Sequence, residues 1–171
     1  MQTLIRPASL IFALILLVGC NTPIDSKSDH PQPTGFVTVV GDATAKSVVA
    51  QLNANGVTTS TTLDDQTDAS LIIVVQDSSV GPLPIHLEIA KKLQKRPQSE
   101  YLWVFTNTNL VDDQELLELE ELECREIFNS QQLPGDHIPF AFDTTYARVS
   151  SDYACPKGYE AILKHVKQHL R

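Results

Sequence analysis

The sequence predicts an α/β domain with a mostly parallel, doubly wound sheet of about five strands. Four runs predict the sheet: residues 36–40 (FVTVV), 70–76 (SLIIVVQ), 101–106 (YLWVFT) and 138–142 (IPFAF). They are apolar without alternation, the pattern of strands covered on both faces. Helix-forming stretches at 45–52, 85–95 and 113–129 separate them, so strand and helix alternate as in βαβ units. Residues 36–171 are long enough for one domain with a real core, and 42% of the chain is hydrophobic.

Residues 1–19 read as a targeting segment ahead of that domain. Arg6 supplies a positive start, and Ala8 to Val18 is an apolar run too short to span a bilayer, which takes about 20 residues. The run ends in Leu17-Val18-Gly19-Cys20, similar to the bacterial lipobox, in which the peptide is cut before a Cys that is then acylated. The likeness implies lipidation at Cys20 and anchoring in the cell envelope. Asn21, standing where retained lipoproteins carry Asp, favours the outer membrane facing the periplasm. Residues 20–35 are rich in Pro, Ser and Asp with little to bury. They read as a disordered tether in which His30 is inert.

The first strand, 36–40, leads into Gly41-Asp42-Ala43-Thr44-Ala45-Lys46-Ser47 and a helix through Leu52. A strand, a Gly-initiated turn and Lys-Ser opening a helix is the layout of a phosphate-binding loop. That loop needs four residues between its glycines and a Gly before the Lys. Here three residues, Asp42 to Thr44, precede Ala45, so the spacing predicts a plain turn capped by Asp42 or Thr44. The β-branched run 57–63 (VTTSTTL) is the second strand and 70–76 the third. Pro84 suits the first turn of the next helix, with Leu87, Ile89, Ala90 and Leu93 inward. Lys91, Lys92, Lys95 and Arg96 crowd its end, where they favour the helix dipole. After the strand at 101–106, Asp112 offers a cap and Glu115 a capping-box partner. The following helix places Leu116, Leu119, Cys124, Ile127 and Phe128 on one face, with Glu120 pointing into it. A last amphipathic helix spans 156–170, with Tyr159, Ile162, Leu163, Val166 and Leu170 inward.

The set Asn107, Val111-Asp112-Asp113, Glu115-Leu116-Leu117-Glu118-Leu119, Glu123, Arg125-Glu126 and Pro134-Gly135-Asp136 resembles the G domain of elongation factor Tu. A weaker likeness extends over residues 68–84. The resemblance implies a P-loop GTPase-like fold, shortened, with GTP and magnesium as the ligand. On that mapping Gly41, Lys46, Ser47 and Asn107 are the vestigial nucleotide-binding residues. The departures are as specific as the likeness. Asn107-Thr108-Asn109-Leu110 stands where the family has Asn-Lys-x-Asp, so the acceptor that reads guanine is absent and Thr108 replaces the Lys. Asp143-Thr144-Thr145 replaces the Ser-Ala under the base. The interval between the first strand and Ser70 is too short for the switch regions, and nothing matches the family's Asp-Cys-Pro-Gly-His. The expectation is a non-catalytic interaction module with no catalytic residue, no metal and no cofactor; the alternative is a residual GTP-binding protein or GTPase.

The remaining candidates are few. With Cys20 lipidated, Cys124 and Cys155 form an even pair in an oxidising compartment and are a candidate disulfide, the alternative being a buried thiol at Cys124. His165 and His169 lie one helical turn apart, a metal pair or simply a decorated helix end. A formal charge of −8, one unit more negative once Arg6 is removed, repels nucleic acid. The acidic helix reads as a solvated face or as a dock for a basic envelope protein.

Overall fold

Five strands and four helices make up the computed structural model, which describes residues 35–64, 69–96, 99–143 and 158–170. In order they are β1 (Val37–Gly41), α1 (Ala45–Ala54), β2 (Thr59–Ser60), β3 (Leu71–Asp77), α2 (Pro84–Leu93), β4 (Glu100–Thr106), α3 (Gln114–Ser130), β5 (Phe140–Phe142) and α4 (Tyr159–His169). The sheet runs β2-β1-β3-β4-β5, and every pairing is parallel. The α/β class and the doubly wound parallel sheet are therefore as the sequence predicts.

The unalternating strands have a direct physical reason: each residue meets a helix layer. Ile72, Val74, Tyr101, Trp103, Phe105, Phe140 and Phe142 pack under α2 and α3. Their neighbours Leu71, Ile73, Val75, Leu102, Val104 and Ala141 pack under α1 and α4. The first layer is aromatic: Phe105 stacks between Phe140 and Phe142, and Trp103 meets Phe128 of α3 edge-on at 5.3 Å. Each such side chain, fully buried, contributes about 1.5–3 kcal/mol over its exposed state.

The boundaries and faces depart from the sequence reading in four places. Of the 57–63 run only Thr59 and Ser60 pair, because its hydroxyls are largely exposed on an edge strand with no second layer to bury them. The cap of α3 is Asp113, not Asp112; its carboxylate accepts from the Glu115 N–H at 2.9 Å. The buried stripe of α3 is Leu117, Glu120, Cys124 and Phe128, so Leu116 and Leu119 point outward. In α2 the inward position is His86, while Leu87 is only partly covered.

The segment from the end of α3 to β5 shows what holds the Pro134-Gly135-Asp136 run in place. Arg125 Nη1 donates to the Gly135 carbonyl at 2.8 Å, its Nη2 pairs with Glu121 at 2.7 Å, and its guanidinium lies 4.6 Å from the Phe140 ring centroid. A Cβ on Gly135 would come within 2.3 Å of the Arg125 carbonyl, so only glycine lets the loop lie against the helix. Asn129 closes the loop with a 2.9 Å bond to Asp136. Arg125→Ala is expected to lose about 3 kcal/mol, because it removes three partly buried contacts and leaves Glu121 unpaired. Urea denaturation checks this, and a loss under about 0.5 kcal/mol, typical of a surface pair, would contradict it.

Candidate functional site

The order of strands fixes where a site can form. The chain leaves β1 toward β2 on one side and β3 toward β4 on the other, so the crevice between their helices opens at the carboxyl ends of β1 and β3. The polar residues at these strand ends are tied to one another. Asp42, just past β1, accepts from the Thr44 N–H at 2.8 Å and the Thr44 hydroxyl at 2.5 Å through Oδ1. Its Oδ2 accepts from the Asp77 N–H across the crevice at 2.6 Å. Asp77 in turn accepts from Asn107 Nδ2 at 2.8 Å. The Asn107 N–H and the Thr108 hydroxyl donate to Asp143 at 2.8 and 2.7 Å. Thr106 bridges back to Thr44 at 2.8 Å. One hydrogen-bonded chain thus crosses the ends of β1, β3, β4 and β5. Asn107 adopts a left-handed φ of 56°, which Asn tolerates better than most residues.

Of the four residues singled out for nucleotide binding, two belong to this network's loops and two do not. Gly41 ends β1, and Asn107 sits at the end of β4 with its side chain spent on Asp77. Lys46 is exposed on α1. Ser47 turns its hydroxyl back to the Thr44 carbonyl at 2.7 Å. The turn is held by Asp42; Thr44 makes no side-chain cap bond. A bound phosphate at this point would meet the Asp42 carboxylate on the N–H groups it needs, so the residues present do not fit a nucleotide with magnesium.

Asp77 has a carboxyl below the usual range. Burial pushes it upward, but the Ser79 hydroxyl and amide and the Asn107 side chain outweigh that by bonding the charged form. His86, which the sequence reading passed over, lies under the same loops, fully buried. Its Nδ1 accepts the Leu83 N–H at 2.9 Å and its Nε2 faces the Val75 carbonyl at 3.0 Å. Those two partners specify the neutral ring with the proton on Nε2, since Leu83 can only donate and Val75 can only accept. Burial lowers its pKa against the opposing pull of the Val75 carbonyl and the Asp42 charge. The available signal was position: a His two residues into a helix that starts at Pro84 can reach back to the cap.

A second polar cluster lies in the α3 interface. Gln76 Nε2 donates to Glu120 Oε2 at 3.1 Å, and the Cys124 thiol donates to Gln76 Oε1 at 3.1 Å. Glu120 is only 4% exposed, and no cation pairs with it among the described contacts. Burial pushes its carboxyl up to about 7; donors at Gln76 and Ser78 pull it down, though the Ser78 hydroxyl falls outside bonding geometry, and the charges of Glu123 and Asp77 push it further up. Among the described residues Cys124 is a free, buried thiol held by Gln76; Cys155, its candidate disulfide partner, and Cys20 lie outside the described residues.

The outer side of α3 is of another kind. Leu116, Leu119 and Leu122 are 45%, 51% and 62% exposed at three-residue spacing, flanked by exposed Glu115, Glu118, Glu123 and Glu126. On α2, Lys91 pairs with Glu88 at 2.6 Å. His165 and His169 stack with ring centroids 4.4 Å apart, and no group of three metal-ligating side chains occurs among the described residues. No helix among the described residues is long and apolar enough to cross a membrane. The chain matches no known protein-family model.

Proposed function

We propose that this chain is a membrane-anchored envelope lipoprotein whose α/β domain is a non-catalytic interaction module. In this reading the domain is a shortened, elongation factor Tu-like G domain that kept its packing and lost its chemistry. Cys20 carries the lipid, residues 21–35 are the tether, and the outer membrane facing the periplasm is the address. A periplasmic setting also lacks the standing pool of GTP that a GTPase would need.

The observation that carries the interaction role is the outward ridge of α3. Single exposed leucines are ordinary. Three on successive turns of one helix, bordered by carboxylates that no described bond neutralises at Glu123 and Glu126, form a strip that suits a basic partner with apolar residues of its own. Burying one such Leu is worth about 1.5–3 kcal/mol, so Leu119→Lys should weaken capture by about tenfold or more. A photo-crosslinker at Leu119, compared with one at Lys46, tests this in envelope fractions. Equal yields from both positions would remove α3 from the account.

The non-catalytic part is tested separately by titrating the full chain with a fluorescent guanine nucleotide plus magnesium. No saturable binding at millimolar nucleotide is the expected result; micromolar affinity would instead establish the alternative, a residual GTP-binding protein.

A further inference from the structure

We infer that Asp42 is the resident anion of the β1–β3 crevice: its carboxylate fills, from within the chain, the seat that an oxyanion ligand would need. The assignment goes beyond the proposed function, since it holds whatever docks on α3.

Two independent pieces of backbone converge on this carboxylate. The Thr44 N–H and hydroxyl come from the turn before α1, and the Asp77 N–H comes from the end of β3, 35 residues away in sequence. Backbone N–H groups at strand ends beside a helix start are the usual protein donors for phosphate and carboxylate oxygens. Here both oxygens of one carboxylate already take them, in short charge-assisted bonds. The first turn of α1 has no acidic residue of its own, so Asp42 also supplies the negative charge that the helix start favours. An incoming phosphate would have to displace a covalently tethered competitor while facing its charge. The site is shut by a side chain that cannot diffuse away, which is stronger than a loop merely lacking glycines.

The seat should therefore open when the carboxylate is removed. Asp42→Ala is expected to lose stability and to recover part of it in inorganic phosphate but not in chloride at matched ionic strength. With phosphate at ten times its Kd, the folded-to-unfolded ratio of the variant should rise about tenfold, while the wild type stays unmoved. Asp42→Asn keeps the volume and puts an amide N–H against either the Asp77 or the Thr44 N–H, so it should lose stability without gaining a phosphate response. A second measurement does not depend on a variant that folds. In the wild-type full chain, millimolar phosphate should leave the Thr44 and Asp77 amide resonances where they are. The inference is overturned if phosphate moves both wild-type resonances, or if Asp42→Ala responds to phosphate no more than wild type does.

Discussion

Near pH 8, replacing Glu120 by Gln is expected to stabilise the fold by about 3 kcal/mol, and at or below pH 4.5 to change stability little. The sign follows from the two states. In the unfolded chain Glu120 ionises around 4.5; in the folded domain burial holds the proton on until about 7. Between those values the native state binds more protons, so stability falls as pH rises and the loss is complete above 7. The introduced amide would keep the carbonyl that accepts from Gln76 and never ionise. His86 tilts the other way. Its folded pKa lies below the ordinary 6.5, so its contribution is whole above 6.5 and shrinks as pH falls through it. In wild type these opposing slopes overlap below 6.5, where they offset one another; in Glu120→Gln the slope of His86 remains together with that of His165, whose pKa burial and the His169 charge also lower, and stability should rise with pH. Urea midpoints measured across this range decide the matter. A variant weaker than wild type near pH 8 would mean that the ionised carboxylate is stabilised by something other than Gln76.

What the sequence made legible, and what it did not, follows from how local each cause is. The strands were readable because a parallel sheet with helices on both faces needs the central positions of β3 and β4 apolar, and Leu71 to Val75 and Tyr101 to Phe105 are. The second strand was overread: β-branched Thr residues satisfy a propensity, but an edge position with no cover pairs only at Thr59 and Ser60. In α3 Glu120, Cys124 and Phe128 face inward as the spacing predicts, but Leu116 and Leu119 were placed inward wrongly because Leu occurs at 116, 117, 119 and 122, around most of the helix. The choice was made by Phe128, Cys124 and Leu117 against the aromatic layer, with Glu120 drawn in beside Gln76. Adjacent acids at 112 and 113 hid the cap by one position. The closing of the crevice was out of reach for a different reason. The bond from Asp77 N to Asp42 joins residues that meet only because β1 and β3 pair, with Gly41 opposite Val75. A turn residue expected only to cap a helix proved to be a cross-strand acceptor as well, and only the register could show it.

The same register yields the second large effect, at Gly41. Gly41→Ala is expected to cost at least about 3 kcal/mol, or to prevent folding, where Lys46→Ala and Ser47→Ala should each stay within about 0.5 kcal/mol. Gly41 holds φ at +151°, and a Cβ built there would lie 2.1 Å from the Val75 carbonyl oxygen and 2.9 Å from the Val75 nitrogen and carbonyl carbon. Neither group can yield. Val75 is a backbone unit in the middle of the sheet, paired to β4 through Val104 on its other side, and its carbonyl also accepts from the Asp42 N–H and faces His86. A methyl group would therefore part β1 from β3 or rotate the turn that holds Asp42, and either movement breaks the crevice network at its origin. The comparison with Lys46 and Ser47 separates two reasons for a glycine at this point. A glycine kept for phosphate would share its sensitivity with the Lys and Ser of the same loop in a binding assay, and would be nearly silent in denaturation. A glycine required by strand contact should be severe in denaturation while its neighbours are silent. An unfolding free energy for Gly41→Ala within about 1 kcal/mol of wild type would reject the strand-contact explanation. The expected pattern makes this glycine part of the sheet, retained because two backbones touch there.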